Sequence, residues 1–313
     1  MTGAVAGAAL RLGTRRSALA LAQAHLVADA LTASTGRAVE LVEVTTTGDT
    51  SSASLTQLGG TGVFVSALRE ALLEGRVDLA VHSLKDLPVQ DPDGVVLAAV
   101  PERADPRDVL VARDGLGLSA LPPGATVGTG SPRRRVQLLA VRPDLDVIDV
   151  RGNVDTRLSY VASGRLDAVV LAAAGLSRLG RLDEATQVLG YDVMLPAPGQ
   201  GALAVECRAD DATAALVAGL DHAPTRAAVR AERAVLAELE AGCSAPIGAL
   251  GEVGGDDAAT LVLHAAVGDD AGGVRRWSQT GDVHHPDELG RRLAGRLLEQ
   301  SMTSSGLWGE GVQ

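Results

Sequence analysis

Part of this chain is written twice. Gly13-Thr14 runs into Arg15-Arg16-Ser17 and an apolar periodic stretch, and Gly128-Thr129 runs into Ser131-Pro132-Arg133-Arg134 and another. Gly75-Arg76-Val77-Asp78-Leu79-Ala80-Val81 returns as Gly164-Arg165-Leu166-Asp167-Ala168-Val169-Val170, and residues 44–50 have a looser echo in 150–156. In both copies a short β-branched run leads into a stretch of period 3.6. The repeat therefore predicts two similar α/β domains with largely parallel sheets and a cleft between them. Chance similarity among α/β segments is the competing explanation.

The coarse pattern places the first copy as a strand at 10–14, a helix at 17–32 capped by Ser17, a strand at 39–46, a helix at 64–74 and a strand at 77–82. Residues 48–62 are rich in Gly, Ser and Thr without apolar periodicity and read as a long loop of the kind that serves as a lid. Segments 101–106 and 195–201 are polar or proline-bearing and mark crossovers between the blocks. Residues 202–207 form a strand expected to return to the first sheet, and a long helix at 225–241 ends at Gly242. Strands at 259–267 and 274–280 with a helix at 287–300 complete a small α+β domain. The expected division is residues 1–101 with 200–222, residues 105–196, and residues 223–313.

Composition excludes several functions. With 313 residues, 46% hydrophobic but only 2% aromatic, the cores must be aliphatic and stacking on aromatic platforms is not the expected mode of ligand binding. A net charge of −11 argues against nucleic acid, which needs a basic surface. No run approaches the roughly eighteen apolar residues of a membrane span. The first ten residues lack the basic flank of an export signal, which implies the cytoplasm. Two cysteines, Cys207 and Cys243, are expected as free thiols there. The six histidines show no zinc-site spacing, so no metal is implied. Without a heptad or a long apolar edge, a monomer is expected.

Arginines recur where strands end and helices begin: Arg15 and Arg16, then Arg133, Arg134 and Arg135, then Arg151 and Arg157. At the carboxyl ends of parallel strands, beside helix N-termini, they make anion sites suited to a ligand with several carboxylates or phosphates. The alternative is a set of solvated surface arginines. His82-Ser83-Leu84-Lys85-Asp86-Leu87-Pro88 closes a strand with an acid and a base, and Asp86 there is placed to move protons or face a developing cation. As a plain structural residue it would cap a turn before Pro88, and His82 would be a satisfied polar group near the core. Cys243, on a Gly-flanked loop past a helix, is more accessible than Cys207 in an apolar strand, although a buried inert thiol is the commoner case.

Taken in order, these motifs resemble one family. Residues 12–21 with the Thr14-Arg15-Arg16-Ser17 core, the 82–88 aspartate loop, Val127-Gly128-Thr129 with Ser131 and Arg133-Arg134, and Arg151-Gly152-Asn153-Val154 with Thr156-Arg157-Leu158 resemble the porphobilinogen deaminases (hydroxymethylbilane synthases). Ala174-Gly175-Leu176 with Arg178-Leu179-Gly180, Gly199-Gln200-Gly201-Ala202, and Gly242-Cys243 with Pro246-Ile247-Gly248 continue the likeness along nearly the whole chain.

The resemblance implies a transferase of porphyrin and haem biosynthesis. It joins four porphobilinogen molecules head to tail, with loss of ammonia, into 1-hydroxymethylbilane. The growing chain is held on a dipyrromethane primer attached by a thioether to Cys243. It further implies that Asp86 is catalytic, and that Lys85, Asp86, Ser131, Arg133, Arg134, Arg151 and Gly152 hold the cofactor with Cys243. Arg15, Ser17, Thr129, Arg157, Arg178 and Gln200 are then substrate-binding. The chain departs from its relatives at Gln57 and Thr61, where loop lysines are usual, and at Gly130 and Pro132 in the arginine motif.

The implied fold is two periplasmic-binding-protein-like α/β domains around a cleft plus a small C-terminal α+β domain. That architecture also suits a non-catalytic solute-binding protein, which would leave Cys243 unexplained. An acyl-transfer enzyme with Cys243 as transient nucleophile would need a histidine base beside it.

Overall fold

The computed structural model describes residues 8–45, 62–90, 92–209, 212–241, 245–255, 258–268 and 273–303. The loop residues Gln57 and Thr61 and the segment 242–244 with Cys243 lie outside the described residues. The chain divides into two compact units, residues 1–103 with 202–226 and residues 104–201 with 227–313.

The first unit opens with β1 (Leu10–Thr14), α1 (Ala18–Thr35), β2 (Val39–Glu43), α2 (Gly62–Leu73), β3 (Leu79–Ser83) and β4 (Val95–Ala99). The second holds β5 (Asp108–Ala112), β6 (Thr126–Gly128), α3 (Pro132–Val141), β7 (Asp146–Ile148), α4 (Val154–Ala162), β8 (Ala168–Ala172), α5 (Ala173–Arg178) and β9 (Gln187–Val188). The chain returns to the first unit as β10 (Leu203–Arg208) and α6 (Thr213–Val217), then runs along α7 (Ala223–Glu238). It ends in β11 (Ile247–Gly254), β12 (Thr260–Gly268), β13 (Val274–Asp282) and α8 (Pro286–Thr303).

The two large sheets have matching order, β2-β1-β3-β10-β4 and β7-β6-β8-β5-β9. The first three strands of each are parallel, as expected. The last two pairings in each are antiparallel, because β10 and β5 enter from the crossovers rather than from a preceding helix. Each sheet is packed with aliphatic side chains, among them Leu12, Leu31, Leu79 and Val205 in the first unit and Leu110, Val127, Leu138 and Val170 in the second.

The sequence repeat is a structural repeat. Asp78 accepts from Arg11 N at 2.8 Å at the head of β1, and Asp167 accepts from Thr126 N at 2.7 Å at the head of β6. Each aspartate is also near an arginine that ends the antiparallel strand or follows it, Arg208 at 3.7 Å and Arg113 at 2.9 Å. Gly13 and Gly128 have the same reason to lack a side chain. A Cβ on Gly13 would meet Val77 at 3.2 Å, and one on Gly128 would meet the equivalent Leu166 at 2.6 Å. The two repeated blocks of each copy are therefore in contact within their own unit.

Residues 247–282 form a separate antiparallel sheet, β11-β12-β13, of which β11 lies outside the strands expected from sequence. The long helix α7 stops at Glu238, with Glu240 in the left-handed region at φ 49°, rather than at Gly242.

Candidate functional site

In the first unit the polar residues gather where β1 and β3 end. Ser17 caps α1, its hydroxyl accepting from Ala20 N at 3.3 Å, so the side chain expected to bind substrate also has a local task. Thr14, fully buried, donates to Ala20 O and fastens the strand end to the helix. Arg15 is half-buried, whereas Arg16 is exposed and pairs with Glu43 at 3.2 Å. Lys85 and Asp86 lie on a single 3-10 turn, Leu84–Asp86, directly after β3. Leu84 N donates to Ala202 O, and Gln23 Nε2 donates to Ser83 Oγ at 2.9 Å, so the base of the turn is pinned on two sides. Asp86 is exposed, and no residue among those described hydrogen-bonds its carboxylate. A strand end held rigidly beneath a solvated carboxylate is suited to proton movement and to facing a cation.

Below that turn is a buried ion network that sequence reasoning did not find. Glu206 on β10, wholly buried, accepts from Arg69 Nη2 at 2.7 Å and Nε at 3.1 Å, and His82 Nε2 lies 3.1 Å from its Oε2. Burial alone would raise the Glu206 carboxyl. His82 and Arg69 overcome this and hold it at about 2. The expectation for His82, a polar residue near the core, matches this placement. Arg69 and Glu206 are 137 residues apart and carry no local signal.

In the second unit the sites lie at the carboxyl ends of the parallel strands β6 and β7. Thr129 is buried and its hydroxyl accepts from Ser131 N, while Ser131 caps α3 with Pro132 in the first helical turn, a position that suits proline. The departure at Gly130 has a steric cause, since a Cβ there would come within 2.8 Å of Val150 O. Gly152 takes φ 108°, and a Cβ would come within 2.7 Å of Thr156. Its carbonyl accepts from Arg157 Nε, and Asn153 caps α4 by accepting from Thr156 N at 2.9 Å.

The arginines that the sequence groups together occupy different environments. Arg133 and Arg134 are 3% and 5% exposed, and both face one carboxylate, that of the fully buried Asp108 at the start of β5. Arg133 Nη1 donates to Asp108 Oδ2 at 2.7 Å and to Leu195 O at 2.6 Å. Arg134 donates to Asp108 Oδ1 through Nε at 3.1 Å and Nη2 at 2.8 Å, and to Val170 O through Nη1. Gln200 Nε2 donates to the same Oδ1 at 2.9 Å and to Pro106 O, so the residue expected to bind substrate is bonded in the interior of its unit. Burial would raise the Asp108 carboxyl, but the two guanidiniums hold it well below the usual carboxylate range.

Arg135 donates to Val147 O. Arg151 is exposed and sits 3.4 Å from Asp149. Burial pushes Arg157 below its ordinary value, and nearby Arg134 adds to the effect. Burial also pushes Arg178 down to about 10. Arg178 Nη2 donates to Gly201 O at 2.6 Å, and its buried Nε has no hydrogen-bond partner among the described residues. Around Asp108 two guanidiniums thus share one carboxylate, and two further desolvated guanidiniums, Arg157 and Arg178, make no ion pair with a carboxylate among the described residues. That is the donor set of a site for a multiply anionic ligand. It fits the dipyrromethane, whose pyrrole rings carry acetate and propionate side chains. Among the described residues no cluster of His, Cys, Asp and Glu could hold a metal ion, and no helix is long and apolar enough to cross a membrane.

Fold and site define a two-unit α/β protein with arginines at strand ends, a donor set suited to anions, and an acid on a turn that no described residue hydrogen-bonds. Residues 10–215 match the family described as porphobilinogen deaminase, dipyromethane cofactor binding domain, and residues 226–299 match its C-terminal domain. The chain is 59% identical to porphobilinogen deaminase of Thermobifida fusca, over 93% of each chain. It is 57% identical to porphobilinogen deaminase 1 of Streptomyces coelicolor, over 97% of this chain and 99% of the relative. The chain belongs to the porphobilinogen deaminase family, and the cofactor of its larger domain is dipyrromethane.

Among solved structures it is similar to the periplasmic VFT2 domain of Bordetella pertussis BvgS (18% identity, TM-score 0.39, covering 67% of this chain and 85% of that one). It is also similar to an arginine-specific periplasmic binding protein of Salmonella typhimurium (13%, 0.38, 68% and 92%).

Proposed function

We propose that this chain joins four porphobilinogen units head to tail on a dipyrromethane held by a thioether to Cys243, one ammonia leaving at each addition, and that water then cleaves the tetrapyrrole from the primer to give 1-hydroxymethylbilane. The observation that supports it most directly is the surplus of desolvated cation in the second unit. Arg133 and Arg134 share a single carboxylate, and Arg178, held at about 10 by burial, has none among the described residues.

Arg133, Arg134, Arg151, Arg157 and Arg178 would pair with the acetate and propionate groups, Arg178 through the Nε that no described residue engages. Ser131, Thr129 and the backbone at Gly152 would add neutral hydrogen bonds at the N-termini of α3 and α4. When bound, the dipyrromethane supplies the nucleophilic α-carbon for elongation.

In the first unit Arg15 and Ser17 would orient carboxylates, with Lys85 as a further cation. Asp86 would accept a pyrrole N–H, stabilise positive charge beside it and carry protons on its carboxylate oxygens between the leaving amine and the α-carbon. Gln200 is better placed to support Asp108 than to touch substrate. Residues 223–313 are read as a third domain carrying the cofactor cysteine, supported by the break in the family match between 215 and 226. The protein is further inferred to be a cytoplasmic monomer with no nucleic-acid partner.

Intact-mass measurement of the purified protein tests the proposal. The expected result is a mass excess of two pyrrole units, placed by proteolysis on the peptide containing Cys243. A protein without the excess that also fails to acquire it from porphobilinogen would contradict the reading.

A further inference from the structure

The residue that organises the arginine motif is not one of the motif's own. Asp108 begins β5, has no exposed surface, and receives four hydrogen bonds from three side chains 25, 26 and 92 residues away in the sequence: one from Arg133, two from Arg134 and one from Gln200. Each of its two oxygens has a separate duty. Oδ2 takes Arg133, whose Nη1 is fully used by adding Leu195 O, and Oδ1 takes Arg134 side-on together with Gln200.

Two adjacent guanidiniums repel one another, and both sit in the first turn of α3, where the helix dipole is itself positive. Without the carboxylate, each buried guanidinium would keep only a neutral backbone carbonyl, Leu195 O for Arg133 and Val170 O for Arg134, to offset the burial of its charge. A single charge between two cations fixes both and leaves about one unit of positive charge for a ligand to balance.

We infer that Asp108 is a positioning residue for cofactor capture: it sets the orientation of Arg134 and Arg133 and leaves that pair one positive charge in excess. It touches no substrate itself, and this role rests on the assignment of Arg133 and Arg134 to the cofactor.

The test compares Asp108→Asn, Asp108→Glu and Arg134→Gln in the full chain. Intact mass reads the fraction carrying two pyrrole units, and circular dichroism with thermal melting reads the fold. Folded Asp108→Asn is expected to carry at least about tenfold less cofactor than the parent and to load slowly on incubation with porphobilinogen. Asp108→Glu, which keeps the charge, should recover a substantial part of the loading.

A purely structural role would lower the melting temperature of both variants but leave the folded fraction equally loaded, and that outcome overturns the inference. If Asp108→Asn does not fold, Asp108→Ser, which also removes the charge and leaves room for water between the guanidiniums, takes its place: at least about tenfold lower loading of the folded protein supports the role, and normal loading refutes it. Normal loading of folded Arg134→Gln would mean that the arginine assignment itself is wrong. Defective Arg134→Gln alongside normally loaded Asp108→Asn would refute only the role of Asp108.

Discussion

Asp86 and Cys243 mark the two extremes of what one residue can be assigned here. Asp86 has an exposed carboxylate on a turn whose base is pinned by Gln23–Ser83 and Leu84–Ala202. Replacing it by Asn keeps the shape and removes the charge, so turnover should fall by about 10² to 10⁴-fold, the usual contribution of a positioned acid or base, while the melting temperature stays close to the parent's. Turnover near the parent rate would remove Asp86 from the chemistry. Cys207 is fully buried in β10, which is why its replacement by Ser should cost about 1–3 kcal/mol through a hydroxyl placed in an apolar strand while the protein remains cofactor-loaded. Cys243→Ser should lack the two-pyrrole mass, read by intact-mass spectrometry. Both thiols, Asp86 and the arginines are legible in the sequence because they stand in compact motifs. Asp108 and Glu206 are not, because an acid in an apolar strand shows its purpose only when arginines 25 and 137 residues away fold against it.

Elements carry their own signals unevenly. The β1 and α1 pair is readable from the apolar pattern and the Ser17 cap, but α1 runs past the expected end at residue 32 to Thr35, where Gly36 at φ 68° stops it. The repeated Gly-Arg-apolar-Asp block is readable because each copy closes a helix with a left-handed glycine and starts a strand with a clamp aspartate. Strand direction is not readable, since the same apolar run serves a parallel or an antiparallel neighbour, and so β5 and β10 bring two antiparallel pairings into each of the sheets expected to be largely parallel. At the start of α4, Gly152 meets two demands at once, a positive φ and a close approach to Thr156. Gly152→Ala should therefore destabilise the protein by about 1–3 kcal/mol and displace the turn that carries Arg151 and Arg157. Chemical denaturation gives the first quantity, and an unchanged midpoint would show that the turn relaxes freely.

Over the molecule as a whole, acid should act through the buried carboxylates. Glu206 is held at about 2 against an ordinary 4.5. The folded value is the lower one, so its stabilising contribution is complete above about pH 4.5 and is lost as pH falls toward 2. Glu206→Gln should flatten that part of the stability curve, and at neutral pH it should cost about 3–5 kcal/mol by leaving Arg69 buried without its partner. Denaturant midpoints between pH 2 and 7 measure both effects, and a variant whose curve runs parallel to the parent's would show that Glu206 is not responsible.

The path of the chain also sets a schedule for its making. β10 lies between β3 and β4, yet it leaves the ribosome only after residues 104–201 have been synthesised. Until then the first unit presents two unsatisfied strand edges, the feature that invites pairing with another molecule. The second sheet has no such wait, because all five of its strands are consecutive in the chain. Nascent residues 1–103 should thus depend on chaperones or on the speed of elongation. A fragment ending at Arg103 should aggregate, while the same fragment joined through a short glycine linker to residues 202–226 should stay in solution and melt cooperatively. Equal solubility of the two would mean that the open edges are harmless. The inserted unit therefore acts as a delay line in the birth of its host.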